Sequence, residues 1–250
     1  MEKTLEILYD KNVIQPYDNV VQNSNTMSYK VNTKQRYIDF TEVEKSCNSL
    51  NENNLLLYLR NTFGNTVTNL VKKMYYIGTT KDMGTVFWNI NKENRVQKAK
   101  ISYYKLNGKR TNKFNAPYKN SDGYYSCLYG EHLLNNCKDK AVILVESEKT
   151  AIVCAMHFTE YLWLAYGGIN GLTESKIHVL KGRKTIIVPD MSENAVSIAN
   201  KKLTVFKNLG IDANIWDLTE GKKDNTLKKE GLYNFDLEDL ISRFTMTNNS

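Results

Sequence analysis

Short apolar segments alternate with helical patterns between residues 140 and 218, and this alternation constrains the fold more than any other feature of the sequence. The apolar segments are Ala141–Val145, Tyr161–Ala165, Thr185–Val188 and Ala213–Leu218. They are separated by helical patterns over Glu148–Phe158, Thr173–Leu180 and Asn194–Leu209. Strands that alternate with helices form parallel sheets with right-handed crossovers. The sequence therefore predicts an α/β protein whose second half is a parallel-sheet lobe.

A different pattern precedes this lobe. Apolar residues at helical spacing predict two short helices between Asn51 and Met74, divided at Gly64. Asn107-Gly108 predicts a hairpin turn. Strands are predicted before that turn at Tyr75–Ile77, Thr85–Ile90 and Lys98–Tyr104. Residues 1–45 lack sustained periodicity, which predicts irregular structure or short strands.

We therefore expect four parts in the chain. These are a loosely organised N-terminal segment (1–50), a smaller basic mixed α+β lobe (51–138), the parallel-sheet lobe (139–240) and a tail (241–250). No run of 18 apolar residues occurs, so we expect no membrane partner. The N-terminus has no signal-peptide layout, and the four cysteines form no Cys-x-x-Cys pair. A cytoplasmic, reduced protein is expected.

Positive charge is concentrated in the basic lobe. Residues 71–120 contain twelve basic and two acidic residues, a net charge of +10, whereas the whole chain carries +7. Eight aromatic residues lie among them. Cations that follow phosphates and rings that accept stacked bases predict a surface for single-stranded DNA or RNA. The alternative is a basic solvent-exposed face over an aromatic core. The candidate nucleic-acid-binding residues here are Lys98, Lys100, Lys105, Lys109, Arg110 and Lys113.

Three carboxylates stand where predicted parallel strands end. Glu146 follows the first strand, Asp190 follows the third, and Asp224 lies in the loop after the fourth. The carboxyl ends of parallel strands meet at one edge of the sheet, where function gathers. Carboxylate oxygens suit Mg²⁺ or Mn²⁺. The alternative is that each acid caps the next helix, a role that Glu148 and Glu193 also fit.

The order of these residues resembles a Toprim domain, the fold shared by bacterial replicative primases, type IA and type II topoisomerases and some nucleases. Val145–Glu148 (VESE) and Val188–Asp190 (VPD) carry the resemblance. The flanking segments NKFNAP (112–117), LYG (128–130) and KKEG (228–231) resemble primase catalytic cores. The strings ESEKTA (146–151) and GEHLL (130–134) are similar to an uncharacterised Toprim-like family found largely in bacterial mobile elements and phages.

The resemblance implies a role for each acid. Glu146 matches the Toprim glutamate, a catalytic general acid or base and a metal-site residue. Asp190 matches the first aspartate of the Asp-x-Asp metal motif, and Asp224 matches a later primase acid near the metal. Lys149, which begins a helix beside Glu146, is a further candidate for a phosphate contact, and a solvated helix lysine is the alternative. The implied activity is Mg²⁺- or Mn²⁺-dependent phosphoryl transfer in the replication of a mobile element or phage.

The sequence departs from the family pattern at three positions. Ser192 replaces the second aspartate of Asp-x-Asp, Thr150 stands where many primases carry an acid, and Ser147 replaces a glycine. A serine hydroxyl brings no charge to Mg²⁺. Three functions therefore stay open: a primase-like nucleotidyltransferase, a Toprim-like nuclease, and a catalytically degenerate scaffold that binds single-stranded nucleic acid for a partner helicase or relaxase.

Overall fold

The computed structural model describes residues 34–247, and the expectations for residues 1–33 lie outside this range. The helices are α1 (Phe40–Cys47), α2 (Asn54–Phe63), α3 (Asn65–Met74), α4 (Glu148–His157), α5 (Glu174–Ile177), α6 (Glu193–Asn208), α7 (Asp224–Glu230) and α8 (Leu237–Thr247). The strands are β1 (Gly78–Thr79), β2 (Thr85–Ile90), β3 (Val96–Tyr104), β4 (Arg110–Asn115), β5 (Val142–Val145), β6 (Leu162–Ala165), β7 (Thr185–Val188) and β8 (Ala213–Ile215).

The predicted parallel sheet is confirmed. It has four strands in the order β6-β5-β7-β8, and every neighbouring pair is parallel. Val145 pairs with Ala165 on one side and with Val188 on the other, so three strands end at the same level. β5 is buried along its whole length, as its continuous apolar run predicts. The residues that follow β5 and β7 are therefore brought to one edge.

The basic half of the chain forms an antiparallel sheet in the order β1-β2-β3-β4. The predicted turn at Asn107-Gly108 is present, because the Gly108 amide donates to the carbonyl of Lys105 at 3.0 Å. Gly108 has a φ of 76°, and a Cβ there would lie 2.7 Å from the ring of Tyr58 in α2. Glycine is thus required both by backbone conformation and by the packing of the hairpin on α2.

Two local predictions were wrong. Tyr75–Ile77 is not a strand: the chain turns there with Tyr76 at a φ of 50°, and the short β1 follows at Gly78–Thr79. Phe40–Cys47 is a helix rather than irregular structure. Asp39 caps it by accepting a hydrogen bond from the Thr41 amide at 2.9 Å, and Val43 is its buried residue.

One hydrophobic core joins the two sheets. It contains Leu56 of α2, Phe87 of β2 and Leu144 of β5, all fully buried. The Tyr75 hydroxyl donates to the carbonyl of Trp163 at 2.8 Å, which adds a polar link across the core. The predicted fold class, a parallel-sheet lobe preceded by a smaller basic mixed lobe, is confirmed. The exact lobe boundaries stay predictions.

None of the helices between residues 34 and 247 combines the length and the apolar character that crossing a membrane requires.

Candidate active site

Glu146 lies directly after β5, with a half-buried side chain. Its carbonyl accepts hydrogen bonds from the amides of Gly167 and Gly168, at 2.9 and 3.3 Å, so the loop after β6 wraps around it. Partial burial raises the pKa of the Glu146 carboxyl. The amide of Ile169 and the charges of Lys100 and Arg110 oppose that rise in pKa. Glu146 therefore lies where the acidic edge meets the basic sheet.

Asp190 lies directly after β7 and is also half-buried. Its pKa is raised to about 8, first by burial and then by the negative charges of Glu146, Asp236 and Asp239. Arg110 acts in the opposite direction. The structure thus brings Glu146 and Asp190 together as predicted from the strand ends, and it adds two carboxylates from elsewhere in the chain.

Asp236 and Asp239 were missed by the sequence analysis. They form a reciprocal cap at the start of α8: the Asp239 amide donates to Asp236 Oδ1 at 2.9 Å, and the Asp236 amide donates to Asp239 Oδ2 at 3.2 Å. Backbone hydrogen bonds connect Met191 with Asn234 and Phe235, which places this cap beside Asp190. The acidic run at 236–239 is visible in the sequence, but its position beside β7 is not.

The donor set of this edge fits a hard divalent cation. Ligand atoms of Asp236, Glu238 and Asp239 lie within 4.8 Å of one another. Burial raises the pKa of Asp190, and the negative charges of Glu146, Asp236 and Asp239 raise it further. A divalent cation takes oxygen ligands and would balance this charge. Asp236, Glu238 and Asp239 are the residues whose ligand atoms converge, and Glu146 and Asp190 are their electrostatic neighbours.

Asp224 occupies a different setting, at the first turn of α7. Its Oδ1 accepts a hydrogen bond from the Glu193 amide at 2.8 Å, and its own amide donates to Glu193 Oε2 at 3.0 Å. Asp224 therefore stabilises the start of α6. It is not among the charges that raise the pKa of Glu146 or Asp190. A metal role for Asp224 stays a prediction.

The two serines that depart from the family pattern are helix caps. Ser192 Oγ accepts a hydrogen bond from the Ala195 amide at 3.1 Å and begins α6. Ser147 Oγ accepts one from the Thr150 amide at 3.1 Å and begins α4. Serine is favoured at this position, because its hydroxyl satisfies an amide that has no partner within the helix.

A cleft of about 220 Å³ separates β3 and β4 from the parallel sheet. Lys98 and Lys100 line it from β3, and Lys176 of α5 lines it from the opposite side. Lys100 Nζ lies 2.6 Å from Glu148 Oε2, in an ion pair with a largely buried carboxylate. Phe114 of β4 also lines the cleft and is 71% exposed. Phe114 is one of the eight aromatic residues noted in the basic segment, whereas Lys176 was not predicted from the sequence.

The other predicted basic residues have varied surroundings. Lys105 and Lys109 are exposed in the hairpin turn, and Arg110 is exposed at the start of β4. Lys113 Nζ lies 2.9 Å from Asp82 Oδ2 and 3.8 Å from the centre of the Tyr103 ring.

Lys149 was proposed as a phosphate contact, with a solvated helix lysine as the alternative. Its side chain is only 15% exposed, and Nζ forms an ion pair with Glu238 Oε2 at 2.6 Å. Lys149 is therefore not a solvent-exposed helix lysine. Its neighbour Glu238 belongs to the acidic start of α8, so Lys149 contacts the edge of the site through a carboxylate.

The arrangement of the two sheets defines a primase-type fold. The Escherichia coli primase catalytic core is similar with a TM-score of 0.52 and 14% identity, over 82% of this chain and 78% of that one. The primase fragment of the bacteriophage T7 primase-helicase protein has a TM-score of 0.47 and 13% identity, over 83% and 78%. An Aquifex aeolicus primase structure has a TM-score of 0.43 and 13% identity, over 65% of this chain. The match covers only 42% of that structure's length.

The chain itself belongs to the family described as "Domain of unknown function (DUF6371)", whose model matches residues 53–191. That match includes Glu146 and Asp190 and ends before α8. The comparison with curated proteins gives no match. The expected link to mobile elements and phages stays a prediction.

Proposed function

We propose that this chain is a divalent-metal-dependent nucleotidyltransferase of the primase type, acting on single-stranded DNA or RNA. One observation carries the proposal: the carboxylates after β5 and β7 lie at one sheet edge, and Lys100 of the basic sheet forms a 2.6 Å ion pair with Glu148, two residues after Glu146. Phosphoryl transfer needs these two charge types side by side, one to hold metal ions and the other to hold phosphates.

The acidic edge would hold the metal. Glu146, Asp190, Asp236 and Asp239 are the proposed ligands for Mg²⁺ or Mn²⁺, which when bound offsets the negative charge on the phosphate oxygens. Glu146 is also the proposed general base. Its pKa is raised by partial burial, and a carboxylate with a raised pKa accepts a proton from an attacking hydroxyl more readily.

The β3–β4 face would hold the nucleic acid. Lys98 and Lys100 line the cleft, and Arg110 and Lys113 lie on the adjoining edge strand. Phe114 projects among these cations, and an exposed ring between cations can stack on a base of any identity. Lys105 and Lys109 would contact phosphates farther along the strand.

Incubation with labelled single strands, Mn²⁺ and nucleotides tests this function. We expect extension or ligation products from the wild type and from Glu160→Gln, which removes an exposed acid that precedes the amino end of β6. Glu146→Gln and Asp190→Asn should remove the products while leaving strand binding intact. Degradation that needs no nucleotides would replace the proposal with the nuclease alternative.

A second candidate is a non-catalytic module that binds single strands for a helicase or relaxase. It is favoured by Ser192, which serves as a helix cap in place of a metal-binding aspartate. In that case no products form, and strand binding depends steeply on salt in the wild type, Glu146→Gln and Asp190→Asn alike. Use in mobile-element or phage replication is a proposal under either function.

A further inference from the structure

Two consecutive residues of α4 hold the acidic start of α8. The Thr150 hydroxyl donates to Asp236 Oδ2 at 2.5 Å, and Lys149 Nζ lies 2.6 Å from Glu238 Oε2. Thr150 is fully buried, and Glu238 is 4% exposed. These contacts join segments that are 86 or more residues apart in the chain. They are therefore a specific attachment of α8 to the helix that follows Glu146.

The hydrogen bonds around Thr150 have a fixed direction. Its hydroxyl has one proton, and this proton goes to Asp236. Ser147 Oγ, 2.7 Å away, must then donate its own proton to Thr150 Oγ1. The second oxygen of Asp236 accepts the Asp239 amide. Both carboxylate oxygens of Asp236 are thus oriented by donors.

The second attachment is a largely buried ion pair. The side chains of Lys149 and Glu238 are 15% and 5% exposed. The Tyr58 hydroxyl also donates to Glu238, at 3.3 Å. Removing one partner of such a pair leaves an uncompensated buried charge, which is strongly destabilising. Glu238 is paired with Lys149, while Asp236 and Asp239 on either side of it form the reciprocal cap of α8.

We propose that Thr150 and Lys149 are positioning residues that fix the α8 carboxylates Asp236 and Asp239 beside Glu146 and Asp190. This inference rests on the proposed metal-dependent function. Position 150 carries no acid of its own, and an acid there would place a second negative charge against Asp236. Threonine instead donates a hydrogen bond to a carboxylate from a distant helix. The carboxylate that position 150 lacks is thereby supplied by Asp236 of the α8 segment.

Calorimetric titration with Mn²⁺, with a nucleotide present, tests the role of Thr150. Loss of an outer-shell hydrogen bond lowers metal affinity about 10- to 100-fold, and we expect a weakening in this range for Thr150→Val. Thr150→Ser keeps the hydroxyl and should restore wild-type affinity. Thr68→Val is the matched control, because Thr68 Oγ1 is buried without a hydrogen-bond partner. Thr150→Ala replaces the valine variant if that variant does not fold.

A double-mutant cycle separates positioning from general destabilisation. If Thr150 acts through Asp236, then Thr150→Val has little further effect on Mn²⁺ affinity in an Asp236→Asn background. Lys149→Met should also weaken Mn²⁺ binding, and Lys149→Arg should restore it in part. Wild-type affinity in Thr150→Val, or equal losses in both backgrounds, overturns the inference while the metal site stands. Absence of Mn²⁺ binding in the wild type overturns the proposed function itself.

Discussion

The two sheets of this protein present opposite charge in opposite settings. At the carboxyl edge of the parallel sheet, Glu146 and Asp190 are half-buried, and their pKa values are raised by burial. On the antiparallel sheet, nearly every residue of β4 is exposed. Buried charges depend on each neighbour, because little solvent screens them. Exposed charges act almost independently. The first setting suits chemistry, and the second suits the binding of a long charged strand.

A few side chains connect the basic antiparallel sheet with the acidic edge of the parallel sheet. Lys100 of β3 forms an ion pair with Glu148 of α4, and Arg110 of β4 lowers the pKa of Asp190 against the effect of its neighbours. A substrate bound on β3 and β4 would therefore reach the acidic edge directly. If the parallel sheet carries the chemistry and the antiparallel sheet binds the strand, variants on the two sheets change turnover and strand affinity separately.

The largest effect is expected at Glu146. Glu146→Gln removes the proposed base, and loss of general base catalysis lowers turnover about 10²–10⁴-fold. Single-turnover extension assays measure the rate, and fluorescence anisotropy measures strand affinity on the same preparation. Affinity should stay within the wild-type range. A variant that loses affinity as much as turnover would contradict the division between the sheets.

Sequence periodicity was sufficient to find the edge but not its full set of acids. Glu146 and Asp190 each follow a short apolar run. Parallel pairing brings the carboxyl ends of such strands to the same edge of the sheet. Asp236 is placed by a backbone hydrogen bond between Met191 and Phe235. Backbone contacts of this kind cannot be recognised in the amino-acid sequence of either segment. The helix at Phe40–Cys47 was missed because only Val43 is buried in it, too few residues to show a period.

A second effect is expected on the exposed sheet. Phe114→Ala removes a ring that lines the mouth of the cleft, and base stacking contributes about 1–3 kcal/mol per base. We expect weaker binding of single strands with turnover of saturated complex unchanged. Anisotropy titrations compare it with Phe244→Ala, which removes an exposed ring on α8. Equal losses in both variants would show that Phe114 has no special role.

A third effect concerns the stability of the metal-free protein. Because the folded-state pKa of Asp190 is about 8, the folded protein binds more protons than the unfolded chain between pH 4 and pH 8. Stability from this group therefore falls as the pH rises through that window. Asp190→Asn should reduce the fall and raise the Tm at pH 8, and each 1 kcal/mol corresponds to about 2–4 °C in a chain of this size.

Thermal melts at pH 5 and pH 8 measure this difference, with Glu160→Gln as an exposed-acid control. Addition of Mn²⁺ at pH 8 should stabilise the wild type and leave Asp190→Asn unchanged. If the Tm falls equally between pH 5 and pH 8 in the wild type and in Asp190→Asn, the pH dependence of stability does not come from Asp190.

The smallest effect is expected for single exposed cations. Lys109→Met removes one charge from the hairpin turn and should reduce the slope of log K against log salt by about 0.7 for a single strand. Lys207→Met, an exposed lysine near the end of α6, should leave the slope unchanged. An unchanged slope in Lys109→Met would place the strand away from the hairpin.

The central claim is that the acidic edge of the parallel sheet is a divalent-metal site. Calorimetric titration of Mn²⁺, with a nucleotide present, into the wild type and Asp190→Asn tests it most directly. We predict saturable binding in the wild type that is lost in Asp190→Asn and retained in Glu160→Gln. Equal binding in the wild type and in Asp190→Asn, or no binding in either, would contradict the claim.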